Sequence, residues 1–270
     1  MIPDADAVAK LIRSVAKTEV LPRFRNLAAH EISEKKPGDL VTVADREAEV
    51  ALAAELTRLL TDSAVVGEET VEIAPQTLGA LDGEKPVWII DPVDGTQNFA
   101  KGDPCFAMIV ALVKRGETLA GWIHEPATNR LVWAVKGQGA WEGSRRLTLP
   151  PAPALSAFQG SVGPFIRDHM RTAAQGSGRD LPQSMTRYRC VGAEYADLAR
   201  GRLHFACYGG QLKPWDHAAG ALIHDEAGGH GAMIESGVAY RPRPPGTQQT
   251  FLLAPNAGSW SQLTGLMQGV

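Results

Sequence analysis

Residues 88–99 read Trp-Ile-Ile-Asp-Pro-Val-Asp-Gly-Thr-Gln-Asn-Phe, and this stretch carries most of what the sequence predicts. Its apolar start predicts a strand, which ends in two carboxylates, Asp91 and Asp94, three positions apart. The Asp-Gly pair that follows predicts a turn, and Thr96 is a residue type that commonly opens a helix. The stretch therefore predicts a strand, a turn and a helix with acidic side chains at the turn.

This turn offers oxygen ligands of two kinds. The two carboxylates and the carbonyl of Val93 can converge at the strand tip, and Mg²⁺ prefers such ligands. The amides of Gly95 and Thr96, at the start of a helix, would form an anion site beside the metal. A surface turn is the alternative interpretation, because Asp, Pro and Gly are ordinary turn residues.

Two further acidic sites stand at the ends of predicted elements. Glu68 lies in Gly-Glu-Glu-Thr, directly after an apolar run at 64–66, and Asp216 lies in Trp-Asp-His-Ala-Ala-Gly at the start of an apolar helix. A helix cap is the plain alternative for Asp216. If the fold brings these three acidic sites together, they predict a cage for more than one metal ion.

Long stretches of the chain resemble inositol monophosphatase-like enzymes. DPVDGTQNF at 91–99 resembles the family's DPxDGTxNF signature, and WDHAAGALIHDEAGG at 215–229 resembles its WDxAAG…EAGG signature. GEE at 67–69 and DLVTVAD at 39–45 fall where the family has its other motifs, in the same order. The resemblance implies an α+β fold, a layered αβαβα sandwich, which usually forms a homodimer. It also implies Mg²⁺-dependent hydrolysis of a small phosphorylated metabolite.

The resemblance also implies roles for individual residues. Two Mg²⁺ ions would be held by four carboxylates and one carbonyl: Glu68, Asp91, Val93, Asp94 and Asp216. Asp91 would bridge the ions, and a third ion would bind near Glu68. Thr96 and Asp45 would help Glu68 to orient and deprotonate the attacking water. Mn²⁺ is a candidate substitute, and Li⁺ and Ca²⁺ are candidate inhibitors. The DxxD spacing disfavours the aspartyl-phosphate chemistry of haloacid-dehalogenase-type phosphatases, which use DxD.

The predicted substrate contacts depart from the inositol-specific pattern. The predicted substrate-binding residues are Gly95, Thr96, Glu194, Tyr195 and Asp216. The family's G-[ST]-A-A stretch reads Gly-Ala-Glu-Tyr at 192–195, and the segment 207–210 lacks the glutamate that binds sugar hydroxyls. An exposed helix start is the alternative for Glu194 and Tyr195. The substrate therefore stays open between an inositol 1-phosphate-like polyol or sugar phosphate, histidinol phosphate, fructose 1,6-bisphosphate and 3′-phosphoadenosine 5′-phosphate.

Three lysines lie near these motifs. Either Lys35 or Lys36 could be the lysine that the family has near its active site, and a solvated charge pair is the alternative. Lys213, three residues before Asp216, could meet an anionic or hydroxyl-rich substrate, or it could be a surface lysine.

Composition narrows the function classes. With 27 basic and 30 acidic residues the net charge is 27 − 30 = −3, which makes nucleic acid an unlikely partner. A regulatory protein that binds RNA or the transcription machinery is the alternative from another class. No apolar run approaches the roughly 18 residues of a membrane span, and the acidic N-terminus does not resemble a secretory signal. The three cysteines form no metal pattern, so we expect reduced thiols and a cytoplasmic protein.

The chain is expected to form one catalytic unit with two lobes, 1–149 and 150–270, divided at the proline-rich segment 150–154. Strands are predicted at 64–66, 87–90, 106–113, 118–124 and 130–135 in the first lobe. In the second lobe, strands are predicted at 157–162, 187–191, 204–208 and 251–253. Helices are predicted at 194–200, 217–227 and 259–267.

Overall fold

The computed structural model describes residues 2–267. Within these residues the α-helices are α1 (Ala5–Val15), α2 (Val43–Leu59), α3 (Glu68–Ile73), α4 (Thr96–Ala100), α5 (Pro164–Ser177), α6 (Val191–Ala199), α7 (Pro214–Glu226) and α8 (Ala257–Gly265). The strands are β1 (Ile32–Lys36), β2 (Asp39–Thr42), β3 (Ala64–Gly67), β4 (Val87–Asp94), β5 (Ala107–Lys114), β6 (Glu117–Glu125), β7 (Arg130–Val135), β8 (Ala140–Glu142), β9 (Arg145–Leu147), β10 (Gln159–Val162), β11 (Ser184–Thr186), β12 (Phe205–Gly210), β13 (His230–Met233) and β14 (Gln249–Ala254).

Most strands belong to two sheets. The first has seven strands in the order β3-β4-β5-β6-β7-β8-β9, and the second has five in the order β11-β10-β12-β14-β13. From β4 to β9 every pairing is antiparallel, as the predicted hairpins require. The pairing of β3 with β4 is parallel, and it brings the ends of these two strands to the same edge. A separate hairpin, β1-β2, lies nearby, and its Lys35 reaches Glu68, the residue that follows β3.

Alternating burial along β4 explains the layers. Val87 and Ile89 face one side of the first sheet and pack with α6 and α7, whereas Trp88 and Ile90 face the other side and pack with α1 and α2. The second sheet lies against α6 and α7 on one face and against α5 and α8 on the other. The resulting order is α1/α2, sheet, α6/α7, sheet, α5/α8, which is the predicted five-layer arrangement.

The start of α2 follows from its capping residues. Thr42 is the N-cap, and its hydroxyl accepts a hydrogen bond from the amide of Ala44 at 3.2 Å. The Asp45 carboxylate reaches back to the amide of Thr42 at 2.8 Å, which completes a capping box. The cap fixes Asp45 in a buried position at the edge where β3 and β4 end.

The second half of the chain differs from the sequence predictions in several elements. The predicted strand at 187–191 is wrong, since Arg189 has a φ of +60°, which no extended strand accommodates, and α6 already begins at Val191. Helix α7 begins at Pro214, so Asp216 lies inside its first turn and is not a cap. The elements α5, β11 and β13 are not predicted by the sequence patterns.

In sequence, the proline-rich segment 150–154 separates the strands of the first sheet, which end with β9, from those of the second sheet, which begin with β10. However, α6 and α7, which follow it in sequence, pack against the first sheet. The helices of the second half thus complete the core of the first half. The division into two lobes at this segment stays a prediction.

Two general features of the described residues bear on the expectations from composition. No helix within residues 2–267 is both long enough and apolar enough to cross a membrane. The three cysteines are free thiols, with Cys190 and Cys207 buried and Cys105 half-buried.

Candidate active site

Three element ends bring the predicted carboxylates into one cleft. The pairing of β4 with β5 is irregular between Asp91 and Asp94, so β4 bends where its two carboxylates stand. The parallel register of β3 and β4 places Glu68, the first residue of α3, beside the end of β4. Asp216 enters from the first turn of α7. All four side chains line a cavity of about 370 Å³.

Asp91 is a buried carboxylate with like charges around it. Its side chain is 2% exposed, and its Oδ1 atom has no hydrogen-bond partner among the described residues. Burial raises the pKa of Asp91 well above its usual range, and the nearby charges of Glu68, Asp94 and Asp216 raise it further. A buried carboxylate with a free oxygen and like charges around it fits a bound cation, because a cation would remove the repulsion.

Asp216 shows the same electrostatic signature. Burial is the largest cause that raises its pKa, followed by the charge of Glu68, and Lys213 opposes the shift. Oxygen donors of this kind suit Mg²⁺ better than zinc or copper, which favour sulfur or imidazole. The residues present therefore fit the metal that the sequence predicts.

The carboxylates of the cleft are not arranged as a complete set of metal ligands among the described residues. In the part of the chain that the structure describes, no three His, Cys, Asp or Glu side chains are close enough to hold an ion as they stand. Glu68 is engaged by lysines, with Lys35 Nζ at 3.2 Å and Lys213 Nζ at 3.9 Å from its Oε1. The two lysines supply the positive charge at this end of the cleft.

The structure distinguishes the two candidate lysines of the β1 strand. The side chain of Lys35 is 6% exposed and its Nζ also lies 2.5 Å from Glu69 Oε1. Burial lowers the pKa of Lys35, but Glu68 and Glu69 together raise it more, so the lysine is charged. Lys36 is exposed and lies 3.9 Å from Glu72. Lys35 is therefore the lysine that pairs with the cleft carboxylate Glu68, and Lys36 is the solvated one.

Asp94 is held by the start of α6. Its Oδ2 accepts hydrogen bonds from the amide of Gly192 at 2.5 Å and from the thiol of Cys190 at 3.1 Å. Burial raises the pKa of Asp94, and these hydrogen bonds oppose the shift. A side chain at position 192 would lie 2.9 Å from Ala107 Cβ, so a glycine is required for α6 to approach β5 this closely. The contact orients Asp94 through one of its two oxygens.

Thr96 and Asp45 meet beside this cleft, as the predicted catalytic pair requires. Thr96 Oγ1 lies 2.9 Å from the Val93 carbonyl and 3.2 Å from Asp45 Oδ1. The other oxygen of Asp45 accepts from the amide and hydroxyl of Thr42. Burial raises the pKa of Asp45 to about 6, with the Thr42 hydrogen bonds opposing the shift. Gly95, with a φ of +85°, turns the chain into α4 at this point.

The structure adds one residue that the sequence analysis did not single out. Glu49, on α2, is 4% exposed and accepts hydrogen bonds from the amides of Glu69 and Thr70, each at 2.8 Å. A side chain at Gly67 would clash with this carboxylate. Glu49 thereby anchors the turn that carries Glu68. Its position on the buried face of α2, one turn after Asp45, is the sequence feature that could have identified Glu49.

The two candidate substrate residues at the start of α6 differ from each other. Glu194 is 2% exposed and lines the cleft, so the alternative of an exposed helix start is wrong. Tyr195 is fully buried in the core, and its hydroxyl lies 3.1 Å from His217 Nδ1. The prediction that Tyr195 contacts substrate is therefore not supported by its position, because its hydroxyl is already used inside the protein. The role of Glu194 stays a prediction.

The chain is similar to known proteins over most of its length. The inositol monophosphatase family model matches residues 4–263. An inositol-1-monophosphatase of Rhizobium meliloti is 34% identical over 235 residues, covering 86% of this chain and 84% of that protein. A Nus factor SuhB of Xylella fastidiosa is 29% identical over 259 residues, covering 94% of this chain and 90% of that protein.

Solved structures are similar as well. An IMPase of Thermotoga maritima superposes with a TM-score of 0.77 at 26% identity, covering 97% of this chain and 95% of that chain. This likeness confirms the layered α+β sandwich that the sequence predicts.

Proposed function

The chain belongs to the inositol monophosphatase family, a metal-dependent family of phosphoric monoester hydrolases, and we propose that it hydrolyses a small polyol or sugar phosphate with Mg²⁺. Inositol 1-phosphate is the named representative of this substrate class, as the name of the Rhizobium relative also suggests. Histidinol phosphate, fructose 1,6-bisphosphate and 3′-phosphoadenosine 5′-phosphate are the alternatives within the same chemistry.

The state of Asp91 carries the proposal. It is a buried carboxylate with an unpaired oxygen, surrounded by Glu68, Asp94 and Asp216. Such a cluster destabilises a protein that has no use for it, because each buried like charge raises the cost of the others. We infer that the residues which hold two to three Mg²⁺ ions are Glu68, Asp91, the Val93 carbonyl, Asp94 and Asp216.

The water that attacks phosphorus would be positioned by the chain's own polar groups. Bound Mg²⁺ lowers the pKa of coordinated water and neutralises phosphate charge. Thr96 Oγ1, between the Val93 carbonyl and Asp45, can accept one hydrogen bond while it donates another, so it can fix the orientation of a water molecule. We infer that Glu68, which lines the cleft, takes the proton from that water, and that Thr96 and the Asp45 carboxylate beside it help to orient the water. No side-chain nucleophile is needed.

The phosphate group would bind at the turn into α4. Gly95 and Thr96 line the cleft, and the first amides of a helix lack backbone acceptors within that helix. These amides, the carboxylate-bound metal and the nearby Lys213 would neutralise the phosphate oxygens. The alcohol portion would extend past Asp216 towards Glu194.

Two further assignments are proposed with this function. A homodimer is the assembly typical of the family, and the mass in solution, measured by light scattering, tests it. A second role in binding the transcription machinery is favoured by the likeness to the Xylella protein named Nus factor SuhB. The net charge of −3 disfavours broad contact with RNA phosphates, and binding of purified RNA at several salt concentrations tests it.

The deciding experiment is phosphate release from a panel of monoesters with Mg²⁺ and with a chelator. The panel holds the four candidate substrates, and Asp91→Asn is measured beside Asp82→Asn, which changes an exposed aspartate. Mg²⁺-dependent release by the wild type and by Asp82→Asn, but not by Asp91→Asn, supports the proposal. Release that persists in the chelator, or in Asp91→Asn, contradicts it.

A further inference from the structure

A second cavity opens directly beside the carboxylate cleft. It has a volume of about 650 Å³, within the range of pockets that bind small molecules. Five residues line both spaces: Arg187, Val191, Glu194, Tyr208 and Asp216. Because the two cavities share this wall, a phosphate held at the cleft would direct its alcohol portion into the second cavity.

Glu194 is the buried charged group on the shared wall. Its Oε1 accepts hydrogen bonds from Ser161 Oγ at 2.5 Å and from the amide of Tyr188 at 3.0 Å. Within residues 2–267 no lysine or arginine forms an ion pair with it, and the charge that acts on it most is another carboxylate, Asp94. The carboxylate is thus oriented through one oxygen, and its charge is not compensated by the protein.

Tyr208 supplies a second polar group at the same place. Its hydroxyl is buried beside the Glu194 carboxylate, and its interaction with that carboxylate lowers the pKa of Glu194. Buried hydroxyls are nearly always paired in folded proteins. A phenol beside a carboxylate that forms no ion pair, both lining the two cavities, can donate and accept hydrogen bonds to a ligand.

The charges around the second cavity restrict what that ligand is. Glu235 lines its wall and accepts a hydrogen bond from the amide of Thr250 at 2.8 Å. Arg187 is the cation of the lining, and it is exposed. Glu235 is exposed as well, so the charged groups of the lining that are not exposed are Glu194 and Asp216; both are acidic, which disfavours a ligand with a second anionic group at this end.

We propose that Glu194 and Tyr208 recognise a hydrogen-bond donor on the alcohol portion of the substrate, so that the enzyme selects monoesters of polyhydroxylated or amino alcohols over bisphosphates. This inference rests on the proposed phosphatase function. The segment 207–210 has no acid of its own, and Glu194, which comes from α6, supplies the acceptor from a different element.

The expected selectivity follows from the burial of these groups. A site built to hydrogen-bond a hydroxyl or amine discriminates strongly against analogues that lack it, because its polar groups are then left unpaired. For one carboxylate on one donor we expect a preference of roughly 10- to 100-fold in kcat/KM over phenyl phosphate, whose alcohol portion has no donor.

The test measures kcat/KM with Mg²⁺ for inositol 1-phosphate, histidinol phosphate, fructose 1,6-bisphosphate and phenyl phosphate. The proteins are the wild type, Glu194→Gln, Tyr208→Phe and the matched control Glu47→Gln, an exposed glutamate of α2. For Glu194→Gln we expect the ratio of kcat/KM for a donor-bearing substrate to kcat/KM for phenyl phosphate to fall at least 10-fold. The fall should come mainly from a higher KM for the donor-bearing substrate. A larger fall for histidinol phosphate identifies an ammonium, and a larger fall for inositol 1-phosphate identifies a hydroxyl.

The two proposals fail in different ways. Without Mg²⁺-dependent turnover of any ester by the wild type, the phosphatase function itself is refuted. If the wild type turns over phenyl phosphate but Glu194→Gln and Tyr208→Phe leave every ratio within 3-fold of Glu47→Gln, only the present inference is refuted. A wild-type preference for fructose 1,6-bisphosphate also refutes it. If Glu194→Gln does not fold, Tyr208→Phe decides, because it removes only the hydroxyl and keeps the buried aromatic ring.

Discussion

Replacement of Asp91 by Asn should remove activity and, at the same time, stabilise the metal-free protein. Asn has nearly the same shape as Asp but carries no charge. In the folded protein the Asp91 carboxylate is buried beside Glu68, Asp94 and Asp216, and its pKa is raised well above that of the unfolded chain. A carboxyl group with a raised pKa stabilises the fold below its unfolded pKa, and this stability is lost as the pH rises through the folded value. At pH 7 the metal-free fold therefore carries a penalty that Asn relieves.

The size of the effect can be set from these interactions. Leaving a buried polar group unpaired costs on the order of 1–3 kcal/mol, and a charged group costs more. Asn leaves a polar oxygen in the same place, so we expect a gain of about 1–2 kcal/mol for the metal-free protein, or roughly 2–6 °C in Tm. If Asp91 holds the metal as proposed, its loss should lower kcat by about 10³-fold or more.

Thermal unfolding in chelator and in Mg²⁺, together with phosphate release, measures both effects. For the wild type, Mg²⁺ at 100 times its dissociation constant should add about 2.7 kcal/mol to the free energy of unfolding. Asp91→Asn should lose most of this gain but unfold at a higher temperature than the wild type in chelator. A variant that is active, or that is less stable than the wild type in chelator with Asp82→Asn unchanged, would refute the interpretation of Asp91 as a metal ligand.

Three other predictions concern buried groups. Glu49→Ala should lower the free energy of unfolding by about 2–4 kcal/mol and lower kcat, because it removes the acceptor of a buried amide, that of Glu69, and of a part-buried amide, that of Thr70. Urea unfolding beside Glu47→Ala measures the change in stability, and equal midpoints contradict it. Gly220→Ala should cost about 1–3 kcal/mol by forcing a methyl group into the Tyr195 ring, which loss of Tm checks and an unchanged Tm refutes. Burial lowers the pKa of His124 from 6.5 to about 4, so about 3 kcal/mol of stability should be lost as the pH falls from 6.5 towards 4. His124→Gln should lack this loss, and identical pH profiles of stability would contradict the assignment.

Much of the architecture and the chemistry is encoded locally. The run Val87–Ile90 with its two carboxylates needs only the alternation of a strand and the turn preference of Asp-Gly, and the structure places β4 and α4 there. The capping box at Thr42 is likewise a pattern of neighbours in sequence. In contrast, α5 has a short apolar stripe of Ile166, Met170 and Ala174, which is too weak to predict a helix without the second sheet that it covers.

The position of a side chain relative to distant elements was decided only by the tertiary structure. Glu194 and Tyr195 are neighbours that the sequence could not distinguish, yet the first faces the cleft and the second fills the core against Gly220. The convergence of Glu68 with Asp91 depends on the parallel pairing of β3 with β4, and the choice of Lys35 over Lys36 depends on which face of β1 meets α3. Local sequence patterns specify the helices and strands and the functional side chains at their ends. Pairing between residues far apart in sequence depends on how whole layers pack, and no short pattern contains that information.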